Sequence, residues 1–246
     1  MQQDSLRRQK YKKLTDCIVL SCENRAARHF LVLLLLLHFS LVGVERRPLG
    51  PLISKKYTTF AHIAIPIPFA MSVIAQSSVV SRLRHMWSSG QLPHALLLAG
   101  PSGAGQMAVA LDFARLLLCE KPEGSGEEAR PCGTCPSCRM VERYAHPDLH
   151  FSFPVIRPKN ASSTSQVVSD LWITEWRAML TDGAYFDLAE WGQRMGIEKQ
   201  QPCIYADESD ELLHKVSIVS ARGGYKVVIV WLPELMNVTC ANKILK

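Results

Sequence analysis

The chain has 246 residues, of which 48% are hydrophobic and 20% are charged, so it is long enough for one large or two small domains with a packed core. Its formal net charge of +6 is unevenly distributed, because residues 1–70 carry +7 and residues 71–246 carry −1. A nearly neutral 71–246 segment lacks the basic surface that binding to a nucleic-acid backbone requires. The charge therefore argues against an independent DNA- or RNA-binding domain in this segment.

Residues 1–70 combine a basic stretch with an apolar run over residues 30–44. The run is shorter than the roughly 20 apolar residues of a transmembrane helix, and no small-residue cleavage site of a secretion signal follows it. Three interpretations remain open: a membrane anchor, a secretion signal, or upstream sequence read through because the start was placed too early. We favour the last, because Met71 opens a stretch with the pattern of a normal domain. We expect residues 1–70 to be a non-homologous extension, disordered or spurious, without a membrane role.

The first predicted elements follow Met71 closely. Apolar spacing predicts a helix over residues 72–90, and a short apolar run predicts a buried strand over residues 95–99. A glycine-rich loop over residues 100–105 comes next, followed by helical composition over residues 106–118. Strand, loop and helix therefore occur in the order that a phosphate-binding loop requires.

The glycine-rich loop has the outline G-x-x-x-x-G-K-[ST] but lacks its two decisive side chains. In that pattern Lys reaches the β- and γ-phosphates, and Ser or Thr holds Mg²⁺. Gly100, Gly103 and Gly105 keep the shape of the loop, whereas Gln106 replaces the Lys and Met107 replaces the Ser or Thr. We therefore expect a nucleotide-binding fold that no longer processes nucleotide, with no catalytic residues and no bound ATP.

The remainder of the chain alternates strands and helices. The patterns predict strands over residues 149–153 and 225–231, a loop over 159–166, and helices over 170–181, 206–219 and 238–246. Strands that alternate with helices are typical of an α/β fold with a mainly parallel sheet.

A second catalytic position of ATPases is also altered. An active P-loop ATPase places acidic residues after a buried strand, where they hold Mg²⁺ and polarise water. Here Trp231 and Leu232 follow Val227–Val230 of the predicted strand, and the next acid, Glu234, lies beyond a proline. An ordinary buried strand followed by a turn is the better interpretation. Both the glycine-rich loop and the end of this strand therefore lack the side chains that an active ATPase needs.

Four cysteines form the strongest chemical motif of the chain. Cys119, Cys132, Cys135 and Cys138 have the spacing C-x12-C-x2-C-x2-C, with Gly and Pro between them to turn the chain. Thiolates at this spacing suit a tetrahedral zinc ion, and a four-cysteine set leaves no open position for catalysis. Paired disulfides and unliganded thiols are the alternatives, and an intracellular location would disfavour the disulfides. We expect structural zinc in a module over residues 119–138.

Several motifs together carry a family resemblance. They are, in chain order, Leu92-Pro93-His94-Ala95, the loop 100–105, the four cysteines, His146-Pro147-Asp148, and the strand 226–232 followed by Ala241-Asn242-Lys243-Ile244-Leu245-Lys246. As a set they resemble the delta-prime family of bacterial DNA polymerase III. Members of this family are clamp-loader components of the AAA+ type. The resemblance covers residues 71–246, and the stretch 155–201 looks like an insertion longer than usual for the family.

The resemblance implies a P-loop AAA+-type parallel sheet flanked by helices, with an inserted zinc-binding module whose ligands are the four cysteines. It also implies a cytoplasmic, non-catalytic stator within the polymerase III assembly, without a small-molecule substrate. The implied partners are homologous clamp-loader ATPase subunits and the delta subunit, with the sliding clamp and primed DNA contacted through the assembly. The family's lid, helical collar and trans-acting Arg would lie beyond Lys246, so 71–246 is expected to be a truncated AAA+-like domain.

Two other functions remain as alternatives. An active P-loop ATPase would require Gln106 to replace a cation close to phosphates, where a positive charge gives several kcal/mol of stabilisation. A zinc-ribbon nucleic-acid-binding protein would require more positive charge than residues 71–246 carry.

Overall fold

The computed structural model describes residues 16–23, 73–157, 166–197 and 200–244, and for 16–23 it describes only the backbone. The apolar run 30–44, most of the predicted extension 1–70 and most of the predicted loop 159–166 lie outside these ranges. Within them, no helix combines the length and the apolar character that crossing a bilayer demands.

The described residues form four strands and seven α-helices. The strands are β1 (Asp16–Glu23), β2 (Ala95–Gly100), β3 (Leu149–Ser152) and β4 (Lys226–Trp231). The helices are α1 (Ser77–Ser88), α2 (Gln106–Leu118), α3 (Pro136–Glu142), α4 (Ile173–Asp182), α5 (Leu188–Arg194), α6 (Asp207–Ser217) and α7 (Val238–Ile244). The helices and strands predicted after Met71 are therefore confirmed with small shifts of their ends, whereas α3 and α5 were not predicted.

The sheet has the strand order β2-β1-β4-β3. Strand β3 pairs with β4 in parallel, and Phe151 lies opposite Ile229. Strand β1 runs antiparallel to both of its neighbours, with Ile18 opposite Leu98 on one side and Trp231 on the other. Strands β2, β3 and β4 consequently share one direction, as an α/β fold predicts.

The central strand β1 corrects the sequence analysis. No element was predicted for residues 16–23, and a mainly parallel sheet was expected, yet both pairings of β1 are antiparallel. The segment Cys17-Ile18-Val19-Leu20 is apolar, and two of its residues, Ile18 and Val19, are β-branched, which suits a strand. The basic and apolar composition around it concealed this short signal.

Helix α2, which follows the glycine-rich loop, packs on the sheet and supplies much of the core. Most of its side chains are buried, including Leu111, Phe113 and Leu116. The helix contacts β1, β2 and β4, and every residue of β4 is buried. Burial of apolar area stabilises such a helix-on-sheet layer by roughly 25 cal/mol per Å². This packing fixes the glycine-rich loop, which joins β2 to α2, at one end of the sheet.

The predicted insertion 155–201 contributes directly to this core through aromatic side chains. Trp176 of α4 stacks on Phe153 with ring centroids 4.1 Å apart, and Trp191 of α5 meets Trp176 edge-on at 5.2 Å. The indole nitrogen of Trp191 donates a hydrogen bond of 2.7 Å to the carbonyl of Pro154. Residues of this stretch are therefore part of the folded domain.

Candidate metal centre and phosphate loop

The structure brings the four predicted cysteine ligands together. Cys119 ends α2, Cys132 lies in the following loop, and Cys135 and Cys138 lie at the start of α3. Their four sulfur atoms all lie within 4.8 Å of one another. This spacing is close to the separation of about 3.8 Å that bonds of 2.3 Å would give around a tetrahedral zinc ion. Among the described residues, the donor set fits a soft divalent metal.

Backbone groups also prepare the sulfur atoms for a metal. The amide of Cys132 donates a hydrogen bond to Cys119 Sγ, and the amide of Cys138 donates to Cys135 Sγ, both at 3.3 Å. Backbone amides of Thr134 and Cys135 lower the pKa of the Cys132 thiol to about 6. Burial instead raises the pKa of the Cys119 and Cys138 thiols. One thiol of the cluster thus loses its proton easily, whereas two others resist ionisation. A divalent cation would allow all of them to ionise, because it replaces the thiol protons and neutralises the thiolates.

A chain of side-chain hydrogen bonds holds the cysteine cluster against the body of the domain. The amide of Asp148 donates to His146 Nδ1 at 3.0 Å, so the proton of the neutral ring is on Nε2. His146 Nε2 donates to Ser137 Oγ at 3.2 Å, and Ser137 Oγ donates to Glu120 Oε1 at 2.7 Å. Burial lowers the pKa of His146, which keeps the ring neutral. His146 therefore has a structural role beside the cluster.

Asp148 extends this support to the strand that follows α6. Its side chain accepts hydrogen bonds from the backbone amides of Ala221 and Arg222 at 2.9 and 3.2 Å, and from Ser220 Oγ at 3.1 Å. Its carbonyl accepts a hydrogen bond of 2.8 Å from the amide of Val227. The His146-Pro147-Asp148 motif therefore joins the cysteine cluster to the turn before β4. The motif is recognisable in the sequence, whereas its partners Ser137 and Glu120 are not, since neither carries a distinctive local pattern.

The glycine-rich loop joins strand β2 to helix α2, as the sequence predicts. Gly103 and Gly105 have φ angles of 78° and 86°, values that favour glycine. The amide of Ala104 donates to the carbonyl of Pro101 at 3.2 Å, and Gln76 Nε2 donates to the carbonyl of Ala104 at 2.9 Å. Backbone and side-chain bonds therefore hold the loop in a defined shape.

The two substituted loop positions have structural partners. Gln106 Nε2 donates to the carbonyl of Pro101 at 3.1 Å and lies beside Gly100, where a Cβ would be only 3.0 Å from it. Gln106 thus folds back over the loop. Met107 is 4% exposed and belongs to the hydrophobic core. Neither side chain provides the cation or the hydroxyl of a working phosphate loop.

The end of strand β4 carries hydrophobic side chains. Trp231 is 3% exposed and lies against Phe186 and Trp176, with centroid distances of 5.1 and 5.3 Å. Leu232 is also buried, and its φ of 53° is unusual for a residue other than glycine. Glu234 lies in the next turn, beyond Pro233. Residues 231–232 thus supply no carboxylate for Mg²⁺.

A family model described as DNA polymerase III, delta subunit, matches residues 75–246. The chain belongs to this family. The match confirms the predicted resemblance and includes the glycine-rich loop, the four cysteines and the strand β4, whereas β1 precedes it. No solved structure shows a significant match to the chain.

Curated relatives carry the names of polymerase III subunits. The delta-prime subunit of Pseudomonas aeruginosa is 28% identical over 165 residues, which are 65% of this chain and 36% of that protein. The delta-prime subunit of Bacillus subtilis is 35% identical over 79 residues, or 32% of this chain and 22% of the relative. The tau subunit of Escherichia coli is 36% identical over 93 residues, or 38% of this chain and 14% of the relative. This delta-prime-like chain spans about a third of the length of the Pseudomonas relative.

Proposed function

We propose that this delta-prime-like chain is a non-catalytic, stator-type subunit of the polymerase III clamp loader, which helps load the sliding clamp on primed DNA. The observation that carries the proposal is the use of the catalytic positions for packing. Gln106 is bonded to its own loop, and Met107 and Trp231 are buried in the core. A rigid fold with these substitutions serves as a fixed element beside subunits that hydrolyse ATP.

The proposed metal of this subunit is a structural zinc ion held by Cys119, Cys132, Cys135 and Cys138. Support comes from the four clustered sulfur atoms and from the amide hydrogen bonds that two of them accept. Four protein ligands complete a tetrahedron, so such an ion would stabilise the module and leave no position for substrate.

The proposed partners are the homologous clamp-loader ATPase subunits and the delta subunit, in the cytoplasm. Matches to both tau and delta-prime proteins support an assembly of related subunits. The matched region carries nearly equal numbers of acidic and basic residues, which favours contact with the clamp and primed DNA through the assembly over independent DNA binding. An active ATPase is the main alternative, and the side chains at positions 106, 107 and 231 count against it.

Reconstitution tests the proposed function. The full chain is mixed with clamp-loader ATPase and delta subunits, and assembly is followed by size-exclusion chromatography. Clamp loading is followed by primer extension that depends on the sliding clamp. We expect the chain to co-elute with the complex, to support clamp loading, and to hydrolyse no ATP by itself. Failure to join the complex, or ATP hydrolysis by the isolated chain that Gly105→Ala abolishes, would contradict the proposal.

A further inference from the structure

The space at the mouth of the phosphate loop is filled by a segment of the insertion. Residues 184–186, which we name the aromatic plug, lie between α4 and α5 and face the loop. The cavity that remains measures about 20 Å³. It is lined by the plug, by Gly103 and Gly105 of the loop, by the first two residues of α2 and by Trp231. A cavity of this volume holds about one water molecule, so it has no room for a phosphate group.

Tyr185 makes the closest contact between the plug and the loop. A Cβ built on Gly105 would lie 2.8 Å from Tyr185 Cε1 and 3.2 Å from the phenol oxygen, so the ring rests directly on the loop backbone. The phenol oxygen accepts a hydrogen bond of 2.8 Å from the amide of Ile74, just before α1. The ring is therefore tied both to the loop and to the segment that precedes α1.

Phe186 anchors the plug on its other side. Its ring meets Trp231 at 5.1 Å and Trp176 at 5.4 Å, and both tryptophans are buried. Trp231 stands where an active ATPase would carry an acidic side chain. Its ring contacts Trp176 and Phe186 and also lines the cavity beside the loop, so it connects the aromatic core to the loop. Edge-on ring packing of this kind adds stability beyond the area that it buries.

We propose that the aromatic plug occupies the place of the nucleotide phosphates and excludes nucleotide by volume. In an active loop, backbone N–H groups must approach the phosphates closely. The Tyr185 ring covers that backbone at Gly105, and the Gln106 amide covers it at Gly100 and Pro101. Restoring a lysine alone therefore does not restore binding. This inference rests on the proposed non-catalytic function and adds a second, independent barrier to nucleotide.

The test measures binding of a fluorescent N-methylanthraniloyl-ATP with Mg²⁺ to the full chain by anisotropy. Three variants are compared: Gln106→Lys, Gln106→Lys with Tyr185→Ala, and Gln106→Lys with Tyr185→Phe. Only the variant with alanine opens the space, because phenylalanine keeps the ring. We expect it to bind at least about tenfold more tightly than the other two. Tyr185 is 38% exposed, so its truncation leaves the buried tryptophans in place.

Two results would overturn the proposal that the plug excludes nucleotide. One is equal binding by Gln106→Lys and by its Tyr185→Ala derivative, because the ring would then exclude nothing. The other is absence of binding to the Tyr185→Ala derivative when circular dichroism shows that it is folded. Assembly with the clamp-loader subunits is measured separately, so loss of the plug and loss of the proposed function are distinguishable.

Hydrogen exchange of the unsubstituted chain provides a test that does not depend on whether the variants fold. The plug predicts slow exchange at the Ile74 amide, which donates to Tyr185, and no new protection at the amides of Gly105 and Gln106 when Mg²⁺-ATP is added. Exchange at the Ile74 amide as fast as that of an unstructured peptide, or new protection of the loop amides upon addition of Mg²⁺-ATP, would overturn the proposal.

Discussion

The amide of Cys138 donates a hydrogen bond of 3.3 Å to the sulfur of Cys135, which is also the residue that caps the start of helix α3. One sulfur atom therefore serves as a helix cap and as a candidate metal ligand. A cap contributes about 1 kcal/mol to stability, whereas a structural zinc ion contributes far more. The two roles can be separated by substitution.

Cys135→Ser is predicted to lose zinc while it keeps much of the cap. Serine at this position accepts the same amide hydrogen bond but is a poor ligand for zinc. We expect less than stoichiometric zinc by atomic absorption, together with a lower melting temperature that added zinc does not restore. Cys203→Ser is the matched control, because Cys203 is outside the cluster. Full zinc occupancy in Cys135→Ser would show that Cys135 is not a ligand.

The bonds between the cysteine cluster and the domain lead to a second prediction. In Ser137→Ala, His146 Nε2 loses its acceptor and Glu120 loses one donor, at a site where Ser137 and His146 are buried. An unsatisfied buried group costs about 1–3 kcal/mol, and we expect the free energy of unfolding to fall by that amount. Urea denaturation measures the loss. Ser217→Ala is the control, because Ser217 is exposed and donates to the carbonyl of His214 within its own helix.

Trp231 provides a third prediction, which concerns the altered acidic position. Trp231→Ala removes a buried ring that contacts Trp176 and Phe186. Truncation of a buried tryptophan costs about 3–5 kcal/mol, and Trp231→Phe should cost less because it keeps a ring. Denaturant unfolding of both variants checks this order. Equal stability of Trp231→Ala and the unsubstituted chain would show that Trp231 does not support the core.

The features that the sequence predicted are those with local signals. The order of β2, glycine-rich loop and α2 follows from adjacent residues, and the four cysteines lie within one short segment. The plug was not predicted, because the contact between Tyr185 and Gly105 joins residues far apart in the chain and depends on how α4 and α5 pack. Strand β1 was missed for a similar reason: its pairing with β2 and β4 is long-range, and its short apolar run lies in an unusual context.

The pH dependence of stability gives a last prediction, which concerns His150 on β3. Burial lowers the pKa of His150, the cations Lys215 and Lys226 lower it as well, and Asp148 and Asp170 raise it, so that the net pKa is about 4. Its Nε2 atom is buried without a hydrogen-bond partner in the described part of the chain. The neutral ring is therefore the form that the folded protein accommodates.

The sign of the effect follows from the protons that each state binds. Between pH 6.5, the ordinary pKa of histidine, and pH 4, the unfolded chain takes up a proton that the folded chain does not. Stability is therefore lost as the pH falls through this window, by about 1–2 kcal/mol at pH 5 after allowance for partial exposure. His150→Gln removes this term, so the difference in unfolding free energy between the two proteins should change over the same window. The buried Glu208, whose pKa is raised by burial, is present in both proteins and cancels in the comparison. A difference that stays constant from pH 7 to pH 4 would show that His150 titrates alike in the folded and unfolded chains.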